Sequence, residues 1–173
     1  LSPGTVIFVE SIGKPLVTDG GAWFDLNNTT VRRDAFLQEA YAWGLNNNGQ
    51  LGDNTVTQRT SPVSVAGGFT DWCQISTGAC HTAAVRRINC TAWAWGYNSQ
   101  GQLGDGTTVT RSSPVSVVGG VNWTHISSGC LHTIALRTNG TAWSWGLNNC
   151  GQLGDSCFNN RSSPVSVAGG SID

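Results

Sequence analysis

A repeat of about fifty residues is the feature that most constrains how this chain can fold. The dipeptide Trp-Gly recurs at positions 43, 95 and 145, which are 52 and 50 residues apart. Each copy is followed by Gly-Gln-Leu-Gly-Asp, then by Ser-Pro-Val-Ser-Val and a Gly-Gly pair. A unit of this length buries its apolar face only against its neighbours, so the repeat predicts a stacked array of similar modules.

The residue pattern inside each unit predicts strands. Thr91 to Trp95 alternates large and small side chains, which places both indoles on one face of a strand. His132 to Leu136 alternates likewise, and Thr138-Asn139-Gly140 between two such runs is typical of a hairpin turn. We expect the proline of Ser-Pro-Val-Ser-Val at a strand start, where no ladder amide is needed. The chain is therefore predicted to be all-β, with about three four-stranded repeats of the β-propeller blade type.

Matching the units end to end predicts the domain boundaries. Residues 71–121 and 122–173 are the second and third repeats, and residues 20–70 are a degenerate first repeat that lacks the His-Thr pair of the others. Residues 1–19 are an N-terminal extension with a strand-like run, Thr5 to Val9, which is a possible edge strand.

These motifs resemble the regulator of chromosome condensation repeat family. The resemblance rests on Trp-Gly, Gly-Gln-Leu-Gly-Asp, Arg-Ser-Ser-Pro-Val, Ile-Ser and Gly-x-x-His-Thr, and it covers Trp43 to Gly170. It implies a propeller, with seven blades in the best-known members. It fixes function less well, because the family includes a nucleotide exchange factor, a secreted β-lactamase inhibitor, bacterial surface proteins and phage fibre or tail proteins.

Three units are too few to close a propeller, which needs roughly four to eight blades. An open arc exposes sheet edges that favour strand addition between chains. Three interpretations remain: the chain is cut from a longer propeller, several copies complete a ring, or arcs join end to end. We therefore expect self-association with copies of this chain or with other subunits.

Composition excludes several function classes. Charged residues make up 11% of the chain and the net charge is −1, which argues against nucleic-acid binding and against a polybasic membrane-binding surface. We also expect no membrane insertion, since no apolar run reaches the roughly 18 residues required. A surface rich in Asn, Ser, Thr and Gly favours an extracellular or virion-surface location.

No motif predicts catalysis, a cofactor or a metal site. His81 and His132 share one repeat position, and we expect an imidazole bonded to a neighbouring blade there, because no ligand partner stands at metal spacing. The three Asp residues that close Gly-Gln-Leu-Gly-Asp are expected to accept backbone amides in turns. The chain is accordingly predicted not to be an enzyme.

Cysteine and asparagine provide candidate modification sites. Cys150 and Cys157 flank one glycine-rich loop and are a possible disulfide, although six cysteines allow fifteen pairings and buried free thiols are the alternative. Glycosylation signals of the form Asn-x-Ser/Thr predict possible glycans at several asparagines. These are Asn28, Asn89, Asn122, Asn139 and Asn160, with Asn27 forming an overlapping signal.

The function predicted from these observations is a non-enzymatic structural or binding subunit of an extracellular or virion-surface fibre, tail or filament. A host receptor or a glycan is a possible partner for its loops. The alternative is a secreted protein-binding module, such as an inhibitor or adhesin. A small-GTPase exchange factor is the third option, disfavoured by the near-neutral charge and the missing basic tail.

Overall fold

The computed structural model describes residues 38–169 in full, together with the backbone of four short strands at 6–11, 17–18, 23–24 and 30–31. These residues form fourteen strands and no helix, so no helix of the described part could cross a membrane. The prediction of an all-β fold built from repeated antiparallel sheets of the propeller type is confirmed.

The second and third repeats each form a complete four-stranded antiparallel sheet, and the sheets have the same strand sequence from one edge to the other. The second sheet contains β7 (Trp72–Thr77), β8 (His81–Arg86), β9 (Ala92–Gly96) and β10 (Arg111–Ser116). The third contains β11 (Trp123–Ser128), β12 (His132–Arg137), β13 (Ala142–Gly146) and β14 (Arg161–Ser166). Strand β11 packs against β7 and β8, so the two sheets stack with their first strands side by side.

The first sheet has three described strands, in the order β1 (Val6–Ser11), β5 (Gln38–Gly44) and β6 (Arg59–Ser64). Strand β1 pairs with β5 as β8 pairs with β9. In the first sheet it therefore takes the place of β8 and β12, the strands that begin with His-Thr in the later repeats. The run predicted as an edge strand of the N-terminal extension thus lies at the edge of this chain's own first sheet.

A separate small sheet is formed by three two-residue strands. These are β2 (Val17–Thr18), β3 (Trp23–Phe24) and β4 (Thr30–Val31). Trp23, which we matched to the tryptophan that opens each later repeat, lies in this sheet rather than beside β1. The predicted repeat boundaries themselves stay predictions.

The prolines differ from expectation in a consistent way. Strands β6, β10 and β14 begin three residues before their prolines, which therefore lie inside the outer strands. In each sheet the register of pairing shifts just beside the proline. A bulge on an outer strand tolerates a missing amide donor as well as a strand start does.

The hydrophobic core lies between the sheets. One cluster joins the first sheet to the second around Trp72 and Trp95, and another joins the second to the third around Trp123 and Trp145. Trp143 packs against the second cluster. Arg137 lies between the Trp123 and Trp143 indoles, with its guanidinium carbon 4.6 Å from the Trp123 ring and 4.2 Å from the Trp143 ring. The alternating indoles predicted from the sequence therefore form the packed contacts between neighbouring sheets. We call each of these two contacts a joint.

Candidate protein-interaction surface

A repeated polar network holds the loop that follows the third strand of each sheet. In the second sheet the buried Asn98 accepts a hydrogen bond from the Leu103 amide at 2.9 Å and donates to the Asp105 carboxylate at 3.1 Å. Asp105 in turn accepts from the Thr107 amide and pairs with Arg111 at 3.2 Å. This supports the turn role expected for the aspartates. The asparagine and the arginine of this network were not predicted to have a role, although both recur in all three units.

The network also fixes the protonation of its carboxylate. Burial alone would raise the pKa of Asp105, but hydrogen bonds from Thr107, Asn98 and Arg111 outweigh it and hold the pKa below its usual value. The pKa of Asp53 is lowered in the same way. In the third sheet the hydrogen bond from Arg161 is the main cause that lowers the pKa of Asp155. These carboxylates are therefore ionised and occupied.

The joints between sheets depend on the carbonyl of the glutamine in Gly-Gln-Leu-Gly-Asp. The Gln102 carbonyl accepts from Trp145 Nε1 at 3.0 Å and from the Thr133 hydroxyl at 2.8 Å, both on the third sheet. The Gln50 carbonyl accepts from Trp95 Nε1 and Thr82 of the second sheet in the same way. Buried carbonyls need such partners, so each joint is satisfied by groups of the next repeat.

A second hydrogen bond recurs at both joints, farther along the same loop. The Asn54 amide donates to the Ser112 carbonyl at 2.9 Å, and the Gly106 amide donates to the Ser162 carbonyl at 2.9 Å. The approach is close enough that a Cβ on Gly104 would lie 2.6 Å from Trp145 Nε1.

His81 lies inside the joint between the second and third sheets, in the structural role that we expected. Its Nε2 is 3.0 Å from Thr133 Oγ1, and the single hydroxyl proton of Thr133 already goes to Gln102. The imidazole must therefore donate from Nε2. Its buried Nδ1 has no hydrogen-bond partner, which favours the neutral tautomer that carries its proton on Nε2. Burial is the main cause that lowers the pKa of His81 to about 4, and the nearby His132 contributes.

Strands β7 and β11, the inner strands of their sheets, add further hydrogen bonds at this joint. The Gln74 side-chain carbonyl accepts from the Ile126 amide at 2.9 Å, and Ser76 Oγ accepts from the Ser128 amide at 2.9 Å. Ser128 Oγ also donates to the Ser76 carbonyl at 3.2 Å. The repeat thus joins its sheets through side chains as well as through apolar packing.

The outer face of the third sheet carries counterparts of these joint groups, and in the described part of the chain they meet no further sheet. We call this surface the third-sheet face. It comprises His132, Ile134, Leu136, the Gln152 carbonyl and the Ser156 amide. Ile134 and Leu136 are 37% and 39% exposed, whereas their counterparts Ala83 and Val85 in the second sheet are 0% and 1% exposed. An apolar surface beside free donors and acceptors is typical of a protein interface.

Most charged side chains of the described residues are paired within the molecule. Four Asp–Arg ion pairs are present, and the three in the loop networks recur from sheet to sheet. Arg87 donates to Gln38, and Arg137 donates to the Gly119 carbonyl. The third-sheet face contains no Asp, Glu, Lys or Arg side chain. No cluster that could hold a metal ion occurs among the described residues.

The candidate modification sites are placed as follows. Cys150 is exposed and Cys157 is half-buried, and both are free thiols, so their bridge stays a prediction. Asn89, Asn122, Asn139 and Asn160 are exposed, while Asn27 and Asn28 lie outside the described residues. The Asn160 amide nitrogen donates to the Gln100 side chain at 2.6 Å, across the joint. Glycosylation stays a prediction at all of these positions.

Fold and joints together define a protein of stacked propeller-type repeats. The sequence profile of the regulator of chromosome condensation (RCC1) repeat matches residues 39–85, 91–136 and 139–171, and a second profile of this repeat matches 123–152. The chain belongs to the RCC1 repeat family. The resemblance found in the sequence is confirmed.

Several known proteins are similar over part of their length. The ultraviolet-B receptor UVR8 of Arabidopsis thaliana is 39% identical over 95 residues, covering 51% of this chain and 21% of that protein. The probable E3 ubiquitin-protein ligase HERC4 of Homo sapiens is 32% identical over 97 residues, covering 54% of this chain and 9% of that protein. This chain thus corresponds to about a fifth or less of either relative.

The solved structures show the same fold. Prp20p from Saccharomyces cerevisiae, described with its binding to Gsp1p and histones, has a TM-score of 0.67 at 17% identity, covering 84% of this chain and 35% of that one. Yeast RCC1 (Prp20) bound to Kap60 has a TM-score of 0.68 at 18% identity, covering 84% of this chain and 34% of that one.

The comparisons overturn two predictions. The function as a structural subunit of an extracellular or virion-surface fibre is wrong, because the relatives are a receptor, a probable ubiquitin ligase and a protein that binds Gsp1p and histones. The extracellular or virion location is wrong as well, since ubiquitin ligation and histone binding take place inside cells. The possible host receptor or glycan partner stays a prediction.

The structure explains why composition misled. The few charges are paired inside the loop networks, and the many Asn and Thr side chains complete the same networks. A polar but weakly charged composition was therefore a property of the repeat, not of an extracellular surface. The broader prediction of protein–protein interaction fits the family.

Proposed function

We propose that this chain is a non-enzymatic protein-binding module that takes a β-sheet of its partner onto the third-sheet face. The observation that carries the proposal is the open joint: Ile134 and Leu136 are more than a third exposed where the second sheet buries Ala83 and Val85. Binding there would repeat a contact that the molecule already makes twice.

The absence of catalysis is part of the proposal, and the chemistry of the described side chains supports it. The carboxylates of the loop networks are held by hydrogen bonds and arginines, so they have no free role as acid or base. His81 is buried in a joint with Thr133. A general acid or base needs a substrate within hydrogen-bond reach, which neither group offers.

The character of the face indicates which partners fit it. Its apolar residues and uncharged donors and acceptors favour a partner surface of the same kind. Prp20p binds histones, which are strongly basic proteins, and such a ligand would need unpaired carboxylates. Four of the five described carboxylates, Asp53, Asp71, Asp105 and Asp155, pair with arginine, and the fifth, Glu39, accepts a hydrogen bond from the Tyr41 hydroxyl. Histone binding by the described part of this chain is therefore not expected.

The test is a set of binding measurements with purified proteins: a Gsp1p-like GTPase, core histones and a second protein of RCC1 repeats. Each is measured against the wild-type chain, Leu136→Glu on the face and Val56→Glu on a distant exposed loop. The proposal predicts a partner whose affinity falls at least tenfold with Leu136→Glu and is unchanged by Val56→Glu.

Two results would overturn the proposal. One is that every partner binds both variants and the wild type equally. The other is that the chain accelerates nucleotide release from the GTPase, which would make it an exchange factor. Fluorescent nucleotide loaded on the GTPase reports release directly.

A further inference from the structure

We infer that the third-sheet face binds the first sheet of a second copy of this chain. The inference rests on the proposed function and names the partner. The outer face of the first sheet points away from the second sheet. This face therefore presents the residue positions through which the second and third sheets contact the sheet before them. A contact between two different surfaces of one chain is heterologous.

The first match is the indole. Trp43 stands at the repeat position of Trp95 and Trp145, whose Nε1 groups donate to the Gln50 and Gln102 carbonyls. Trp43 is half-buried, and its Nε1 makes no hydrogen bond in the described residues. The carbonyl of Gln152 is the corresponding free acceptor on the third-sheet face. One copy thus offers the donor and the other copy the acceptor.

The second match lies on the outer strands. Thr60 stands where Ser112 and Ser162 stand, and the carbonyls of those serines accept from the Asn54 and Gly106 amides. Thr60 is exposed. The Ser156 amide occupies the position of these two donors, in the same left-handed backbone conformation, with φ of 61° against 63° for Asn54.

The third match is one of volume, and it distinguishes the first sheet from a full repeat. Inside the molecule Ala83 and Val85 share a core cluster with Trp123 of the inner strand β11. Among the described strands of the first sheet, β1, β5 and β6, none carries a counterpart of Trp123. Ile134 and Leu136 are larger than their counterparts, so they would fill space beside these three strands. A sheet with the full inner strand would instead be overpacked.

One difference limits the strength of this contact. By register, Val6 stands opposite Trp43 as Thr82 stands opposite Trp95. The first sheet therefore lacks the hydroxyl that donates to the glutamine carbonyl at each internal joint. Association between copies should be weaker than the internal joints and reversible on dilution.

The experiment is sedimentation equilibrium of the full chain and of two variants that disable opposite halves of the contact. Trp43→Phe removes the donor but leaves the third-sheet face intact. Leu136→Glu disables that face but leaves the first sheet intact. Leu136→Glu alone should associate at least tenfold more weakly than the wild type, and Trp43→Phe about fivefold more weakly, as expected for the loss of one hydrogen bond. Val109→Glu, on an exposed loop of the second sheet, is the unaffected control.

Mixing the two variants gives the decisive result. The Trp43→Phe chain keeps an intact third-sheet face, and the Leu136→Glu chain keeps the Trp43 donor. An equimolar mixture of the two should therefore form a 1:1 complex with wild-type affinity. A mixture of Trp43→Phe with the double variant should not. If Leu136→Glu fails to fold, judged by its thermal transition, Ile134→Asp replaces it.

The outcomes separate this inference from the function proposed above. A wild-type chain that stays monomeric up to its solubility limit overturns self-association, but leaves binding of other proteins to the face open to its own test. Association that neither variant weakens, or that mixing does not restore, also overturns the inference.

Discussion

Lowering the pH from 7 to 5 should destabilise the fold through a single buried group. His81 is 1% exposed and holds Thr133 of the next sheet as a neutral donor. Its pKa is about 4 in the folded chain, against an ordinary value of 6.5. Between these values the unfolded chain binds the proton and the folded chain does not, so stability rises with pH across that window.

The size of the effect follows from the two pKa values. At pH 7 the difference has almost no influence. At pH 5 linkage predicts a loss of about 2 kcal/mol, and the loss levels off near 3 kcal/mol below pH 4. This is a large share of the 5–15 kcal/mol over which typical domains are stable.

The assay is urea denaturation at pH 7 and pH 5 at constant ionic strength, on the wild type and on His81→Gln. Glutamine keeps an Nε2 donor for Thr133 but does not titrate, so the variant should lose most of the pH dependence. The exposed His125, changed to glutamine, should leave that dependence as it is in the wild type. A His81→Gln chain that still loses about 2 kcal/mol between pH 7 and 5 would refute the tautomer and the burial assigned to His81.

Three further predictions concern the joints and the loops. Gly104→Ala should lower the free energy of unfolding well beyond Gly154→Ala, because both glycines have positive φ but only Gly104 has an indole, that of Trp145, within 3 Å of the added Cβ; paired thermal melts measure the difference. Asn98→Ala should cost roughly 1–3 kcal/mol in urea denaturation, since it leaves the buried Leu103 amide unpaired, whereas the exposed Ser99→Ala should be nearly neutral. Raising NaCl from 0.05 to 0.5 M should change association at the third-sheet face less than twofold, as measured by sedimentation, and a steep salt dependence would contradict an uncharged contact.

Much of the fold could be read from the sequence because the repeat fixes register. The alternation around Trp93 and Trp95 placed the indoles correctly, and the His-Thr position proved to be a joint between sheets. Local propensity did not predict where the prolines lie, because a bulge inside an outer strand accommodates a missing amide donor as well as a strand start does. It also could not show that β1 replaces the His-Thr strand, because strand pairing is a long-range choice.

The candidate site was harder to predict for a physical reason. Several of the groups that make the joints are backbone carbonyls and amides, such as the Gln102 carbonyl, and nearly every residue type supplies these. The signal lay instead in what each repeat changes: Ala83 and Val85 become Ile134 and Leu136.

The open face is tolerable because water satisfies it. The Gln102 carbonyl sits in a fully buried residue and must be bonded within the protein, whereas the counterpart residue, Gln152, is partly exposed. Docking a partner there exchanges hydrogen bonds with water for hydrogen bonds with protein, which contributes only about 1 kcal/mol each. The affinity of the third-sheet face must then come mainly from burying Ile134 and Leu136, while the polar groups fix register. Shortening either side chain should therefore weaken binding without changing which partner binds, and removing the Trp43 donor should cost specificity as well as affinity.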